Sequence, residues 1–333
     1  MKVLVTGATG FLGGAIARAL ADGGADVRAL VRPTSDRERL SGIAVEWVEG
    51  DVTEPHTLKG VCDGVDWIVH AAGMLGQAGV AESHYHRLHA GGTRNVLSEA
   101  VKADVRRLLV ISSPGVLGPI WGEPAGEDAP PAPSNAYERS KASAEQVVER
   151  FVTEGLPVIV MRPEFVYGPG DTHVLGLFRA VQNGTFFFVG SGEHVCHPTF
   201  IGDAVDGAML CLSKGRPGSV YHVAGPRPVT FRELAGAMAN ALGVPAPQVT
   251  VPKTLAWLGA AGLELVARVI GRTPPLSRAG VAFFGEDRRF SWQKARRDLG
   301  YCAQVELVDG VQRTVDWYRE RELLKPTRAG GAA

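Results

Sequence analysis

Three glycines spaced three residues apart, Gly7, Gly10 and Gly13, separate an apolar run from a helical stretch, and no other feature of the chain restricts its fold as much. Val3, Leu4 and Val5 have the continuous apolar character of a strand buried on both faces, and Ala15 to Asp22 has helical composition. In such a strand, turn and helix, Gly7 takes the tight turn and Gly10 lets a pyrophosphate approach without a Cβ in the way. Gly13 lets the helix pack close to the strand, and the helix N-terminus offers free N–H groups to phosphate. Thr9, Phe11 and Leu12 complete the loop. The pattern predicts a dinucleotide site at the start of the chain.

The alternation continues. Strands are expected at Ala25 to Val31, Ala44 to Glu49, Trp67 to His70, Arg107 to Ser112 and Leu156 to Arg162, with helices over Ser83 to Lys102 and from Asn135 onward. At Arg162-Pro163 the character changes to longer loops. The expected fold is α/β: a doubly wound parallel Rossmann sheet over residues 1–162, a smaller C-terminal α+β substrate lobe over 163–325, and a flexible tail at 326–333. In the second lobe Phe186 to Gly192, His197 to Ile201 and Ser219 to Val223 read as strands, the last rejoining the main sheet. Asp203 to Leu212 reads as helix, and Thr230 to Glu233 has capping-box spacing ahead of a helix to Leu242. Thr254 to Ile270, with Glu264 and Arg268 one turn apart, is expected as a half-buried cover helix rather than a membrane anchor, and Val305 to Glu322 as a closing amphipathic helix.

The 333 residues include 35 basic and 35 acidic side chains, so no overall field favours nucleic acid or an anionic membrane. Cys62, Cys196, Cys211 and Cys302 form no C-x-x-C pair, which fits reduced thiols better than disulfides or zinc, and no metal is implied. The first strand begins at the N-terminus and no apolar run reaches membrane-span length. A soluble, cytoplasmic protein acting on a small molecule is expected.

Tyr137 and Lys141, four residues apart, share one helix face. A phenol with a pKa near ~10 is a poor proton shuttle at neutral pH, and a neighbouring ammonium would bring it into working range. Ser113, just beyond the fifth strand, supplies a hydroxyl to hold a substrate oxygen. Cofactor choice is read at the end of the second strand, where Val31 and Arg32 stand in place of the acid that would accept the ribose hydroxyls of NAD. NADP(H) is therefore expected over NAD(H).

Thr6 to Gly13, Gly50-Asp51, His70-Ala71-Ala72, Ser112-Ser113, Tyr137 to Lys141 and Arg162 to Asp171 together resemble an extended short-chain dehydrogenase/reductase. This is the NAD-dependent epimerase/dehydratase superfamily, and the cofactor pattern is similar to its dihydroflavonol reductase and 3-beta-hydroxysteroid dehydrogenase-like branch. The resemblance implies hydride transfer at a carbon bearing a hydroxyl or carbonyl. Tyr137 would be the general acid/base, Lys141 its pKa tuner and ribose ligand, and Ser113 the substrate-oxygen partner. It further implies Asp51 on the adenine amino group, with Val52, Ala71, Ala72, Gly73, Arg162 and Pro163 around the cofactor. Where the family often has Asn, this chain has His89. A homodimer pairing the helices Ser83 to Lys102 and Tyr137 to Glu154 is also implied.

Met74, Pro114, Glu164, Phe165, Val166, Cys196 and His197 are expected to line the substrate pocket, with Cys196, His197 and His194 as wall residues rather than nucleophile, acid or base. Relatives that bind nucleoside-diphosphate sugars clamp the diphosphate with an arginine seven residues before the aspartate matching Asp203, where this chain has Cys196, and with another ahead of the C-terminal Leu-Gly-Tyr. Here that second stretch reads Val281-Ala282-Phe283-Phe284, which leaves Arg278, Arg288 or Arg289 as substitutes. The sequence therefore favours an NADP-preferring oxidoreductase for an uncharged or lipophilic ketone or secondary alcohol. Its rivals are a nucleotide-sugar epimerase/dehydratase and an NADP-sensing regulator without turnover.

Overall fold

The computed structural model describes residues 1–270, 274 and 276–325, with the backbone alone at 268 and 269. The tail expected at 326–333 lies outside the described residues. Strands β1 (Lys2–Thr6), β2 (Asp26–Val31), β3 (Val45–Glu49), β4 (Trp67–His70), β5 (Arg107–Ile111) and β6 (Val158–Pro163) join Val220–Val223 in one seven-stranded sheet. Every pairing is parallel, in the order Val220–Val223, β6, β5, β4, β1, β2, β3. Strand order reverses between β1 and β4, and the crevice beyond their carboxyl ends is where such sheets take ligands.

Both faces of the sheet are covered, which is why its inner strands read as apolar runs rather than alternations. Ile16, Ala17 and Leu20 of α1 (Phe11–Asp22) share one core with Ala204, Ala208 and Cys211 of the helix Ile201–Lys214. On the opposite face pack Val96 and Leu97 of α3 (Gly92–Ala100) and Val147 and Val148 of α4 (Ala136–Thr153). A separate aromatic core holds the second lobe together around Tyr167, Phe178, Phe188, Phe200, Phe231 and Tyr318.

Three expectations change in detail. The helix expected over 83–102 is broken into α2 (Glu82–His86), a π-helical turn at Arg87–Gly91, and α3. The strands expected at 186–192 and 197–201 shrink to Phe188–Val189 and Thr199–Phe200, the former stopped by Gly190 and Gly192 in left-handed conformation (φ 69° and 80°). The helix Ile201–Lys214, placed by sequence in the second lobe, covers the main sheet instead. The capping box is formed as read: the Glu233 N–H donates to Thr230 Oγ1 at 3.0 Å, and the Thr230 N–H to Glu233 Oε2 at 2.8 Å.

Candidate active site

The glycine loop is built by close approach. Gly7 has φ +70°, and a Cβ on it would stand 2.6 Å from the Ala71 carbonyl oxygen. At Gly13 a Cβ would lie 2.3 Å from the Gly7 carbonyl oxygen, so helix and turn meet with no room for a side chain. Gly10 caps α1 without any side-chain hydrogen bond, and no acidic residue occupies the first turn. These N–H groups face the crevice with no competing anion, which suits a pyrophosphate. Ala72 N–H donates to Thr6 Oγ1 at 3.2 Å, locking the turn after β4 to β1.

Asp51, at the end of β3, spends one carboxylate oxygen on Thr53, accepting its N–H and its hydroxyl at 2.8 Å each. Its second oxygen takes no part in these two bonds, and Val52 is buried against Gly92. Arg32 is exposed just past β2. Sequence reasoning missed Arg39, which lies across the loop with its guanidinium 6.0 Å from the Phe11 ring centroid and donates to the Gly170 carbonyl at 3.0 Å. Nothing local in sequence marks it, because its partners are 28 and 131 positions away.

Around the expected catalytic residues the cap of α4 is formed by Asn135, whose Oδ1 accepts from the Glu138 N–H at 3.0 Å. The Ser113 hydroxyl accepts the Gly115 N–H at 3.1 Å and lies near the Tyr137 phenol. Burial pushes the phenol up to about 12; the Ser113 hydroxyl opposes the rise and the Glu164 carboxyl adds to it. Lys141 donates to the Ile111 carbonyl at 3.0 Å, and burial pulls its ammonium down to about 8, with Glu145 opposing. Burial thus favours the protonated phenol, and the Lys141 ammonium is turned to a backbone carbonyl. Gly73 leaves the space beside Lys141 Nζ and His89 Nε2 free, since a Cβ there would stand 3.5 and 3.3 Å from them.

His89 reaches this cluster through the π turn. Its Nε2 accepts the Met74 N–H at 3.2 Å, so Nδ1 carries the proton and donates to Ser140 Oγ at 2.8 Å; Ser140 in turn donates to the Tyr137 carbonyl at 2.6 Å. Its ring stands edge-on to Tyr137 at 5.6 Å. Burial, then the Lys141 charge, hold it neutral, down to about 2.

The side chain of Arg162, a residue expected around the cofactor, is engaged by α4. Its guanidinium is buried and binds Glu145 of α4 through two bonds of 2.9 and 2.6 Å, so it braces β6 against that helix, with Pro163 following at the strand end.

The residues expected around the substrate form a continuous run of contacts. Glu138 Oε1 pairs with the buried Arg288 at 2.8 Å, Arg288 lies over the Phe283 ring at 5.6 Å, and Phe283 meets Phe165 at 5.5 Å. Phe165 holds φ +35°, a strained backbone for an aromatic residue, next to the half-buried Val166. Glu164 is buried, its carboxyl pushed up to about 8 by burial against the opposing Arg288. Cys196 is fully buried with its thiol raised well above the ordinary range by burial, an inert wall group. Burial lowers His197 to about 4; its Nε2 donates to the Gly225 carbonyl at 2.9 Å. His194 is turned to Asp287 at 3.1 Å. Pro114 is buried behind Ser113, and Met74 is half-buried on the turn held by His89.

A parallel sheet with this cradle at its switch point, and a Ser-Tyr-Lys group beside it, defines a nicotinamide-dinucleotide-dependent enzyme of the extended short-chain dehydrogenase/reductase type. The profile of the NAD dependent epimerase/dehydratase family matches residues 3–224, and the chain belongs to that family. It is 30% identical to the 4-hydroxy-2-methyl-3-oxo-4-farnesyl-3,4-dihydroquinoline-1-oxide ketoreductase of Stigmatella aurantiaca, over 93% of this chain and 95% of that one. It is 31% identical to the 2-alkyl-3-oxoalkanoate reductase of Stenotrophomonas maltophilia, over 94% and 98%. Among solved structures it is similar to the dTDP-glucose 4,6-dehydratase DesIV of Streptomyces venezuelae with NAD bound (TM-score 0.79, 28% identity, 98% of this chain and 100% of that one).

Proposed function

We propose that this enzyme is an NADP(H)-preferring ketoreductase for an uncharged or lipophilic ketone, or the corresponding secondary alcohol. When bound, the nicotinamide supplies or accepts a hydride at the carbon that bears the oxygen. Gly7, Gly10 and Gly13 would hold the pyrophosphate, Asp51 the adenine, and Lys141 the ribose. Ser113 positions the substrate oxygen. Tyr137, protonated at neutral pH, donates its phenolic proton to that oxygen in the reductive direction.

One observation carries the substrate reading: the wall that begins beside Tyr137 is aromatic, and its buried arginine is already paired. A nucleoside diphosphate brings two charges that must meet free cations. Arg288 is committed to Glu138, Arg278 to Glu264 at 2.8 Å, and Arg289 to Asp287 at 3.2 Å. The names of two relatives' substrates carry lipophilic chains, farnesyl in one and alkyl in the other, which supports the lipophilic part of this reading; the oxoalkanoate also bears a carboxylate. The NADP(H) preference rests on Arg32 and the absence of an acid at Val31. A homodimer through α2, α3 and α4 and a cytoplasmic setting belong to the same proposal.

The test is a substrate panel. UDP- and dTDP-sugars should neither raise the melting temperature nor be epimerised, while a long-chain apolar ketone is reduced with NADPH. Turnover of a nucleotide sugar at an ordinary enzymatic rate would replace this reading with the epimerase/dehydratase one.

A further inference from the structure

Glu164 is a carboxyl without a partner in a wall that is otherwise aromatic. It is 5% exposed, and among the described residues its carboxyl enters no hydrogen bond and no ion pair. Both carboxyl oxygens keep part of that exposed surface, since neither belongs to the fully enclosed polar atoms that lack a partner. Buried polar groups are almost always hydrogen-bonded, so an unpaired acid that still opens on the cleft calls for a ligand group to complete it. Arg288, the arginine of the same wall, does not do so, because it is bound to Glu138 at 2.8 Å.

The backbone fixes where this acid stands. β5 and β6 are parallel neighbours with Ile111 opposite Met161, and the Ser112 N–H donates to the Met161 carbonyl at 2.7 Å. Continued past both strand ends, that register sets Ser113 opposite Pro163, on chains about 4.8 Å apart. Glu164 is thus one residue beyond the level of the serine assigned to the substrate oxygen. Its main chain is clamped on both sides: the Glu164 N–H donates to the Val223 carbonyl at 3.0 Å, and its carbonyl accepts from the Thr199 hydroxyl. Phe165 follows with its φ of +35°, a strain of the kind held at ligand sites. After burial, the Glu164 carboxyl raises the Tyr137 phenol more than any other group does, and the same is true of the Cys196 thiol. The acid is therefore within electrostatic reach of both the proton donor and the wall.

We propose that Glu164 is the specificity residue of this cleft, its carboxyl hydrogen-bonding a second oxygen of the substrate on a carbon close to the one that exchanges hydride. The assignment rests on the ketoreductase reading and narrows its substrate class to ketones that carry a nearby hydroxyl or carbonyl. A hydroxyl suits the acid in either protonation state, since it donates to a carboxylate and accepts from a carboxylic acid. A substrate carboxylate is the poorer match, because it would meet a second carboxyl with Arg288 already taken. A plain hydrocarbon chain would leave the acid desolvated and unpaired, and a site built to hydrogen-bond a substrate oxygen rejects the analogue that lacks it.

The experiment compares 2-undecanone with its β-hydroxy derivative as substrates of the full-length protein with NADPH. The parent should reduce the hydroxyketone with a kcat/KM roughly tenfold or more above that of the plain ketone. In Glu164→Leu this ratio should fall to about one, and Glu164→Gln, which keeps a donor and an acceptor, should hold part of it. Because each ratio compares two substrates on one protein, a general loss of activity cancels, and NADPH calorimetry shows that each variant is folded. A ratio near one in the parent, as expected if Glu164 only held a water, would overturn the assignment, and so would an undiminished ratio in Glu164→Leu. Either result leaves the ketoreductase reading standing. Reduction of neither ketone by the parent would overturn that reading and this assignment with it.

Discussion

Tyr137 is held at the first turn of α4 by the Asn135 cap and by the His89 to Ser140 chain at its carbonyl. Tyr137→Phe keeps the ring and removes the proton. Turnover should fall by roughly 10² to 10⁴ with cofactor affinity unchanged, as measured by steady-state kinetics beside calorimetry; a fully active variant would remove Tyr137 from the chemistry. Glu164 offers a second test at this scale. Burial raises its carboxyl from 4.5 to about 8, with Arg288 opposing and Glu138 adding. Between those values the folded protein holds a proton that the unfolded chain has lost, so this group's contribution to stability falls as pH rises through the window. Glu164→Gln mimics the protonated acid and does not titrate. Its stability relative to the parent should therefore grow from pH 5 to pH 8, by about 1 kcal/mol or more. Urea melts at the two pH values check this, and a gap independent of pH would contradict it.

Among the elements, the ones legible in sequence were those defined by local chemistry. β1, the glycine turn and α1 follow from apolar run, spacing and helix former, and Thr230 with Glu233 makes its box within four residues. The elements misread depend on distant partners. The π turn at Arg87–Gly91 brings His89 to Met74 and to Ser140, 51 positions away, and periodicity carries no trace of that meeting. Arg162 looked available at a strand end, yet Glu145 lies 17 positions upstream on α4 and takes it into a buried pair. Lys253–Ile270 shows the same limit in another form: an apolar period marks a stripe, but which side goes inward depended on the close fit of alanines against Val189, Val281 and Phe284.

For the whole molecule, cofactor binding is linked to unfolding, because the cradle exists only when β1, β3, β4 and α1 are assembled. A ligand that binds the native state alone raises stability in proportion to the logarithm of its concentration over its dissociation constant. NADPH should therefore raise the melting temperature more than NADH at equal concentration, and Arg32→Ala should narrow the difference through loss of a charge-assisted phosphate contact. Equal shifts in the parent would refute the preference. By itself the sequence determined the doubly wound sheet and the return of Val220–Val223 to it, and it singled out Gly7, Gly10 and Gly13 and the Ser113, Tyr137 and Lys141 group as candidates. Each of these depends on short-range patterns: strand runs, glycine spacing and one helical turn. Only the tertiary structure decided where Lys141 points, that Arg288 is already neutralised, that Arg39 crosses the glycine loop, and that a leucine face stays outside. Those outcomes come from desolvation and from pairings between residues far apart in the chain, and neither leaves a local pattern to read.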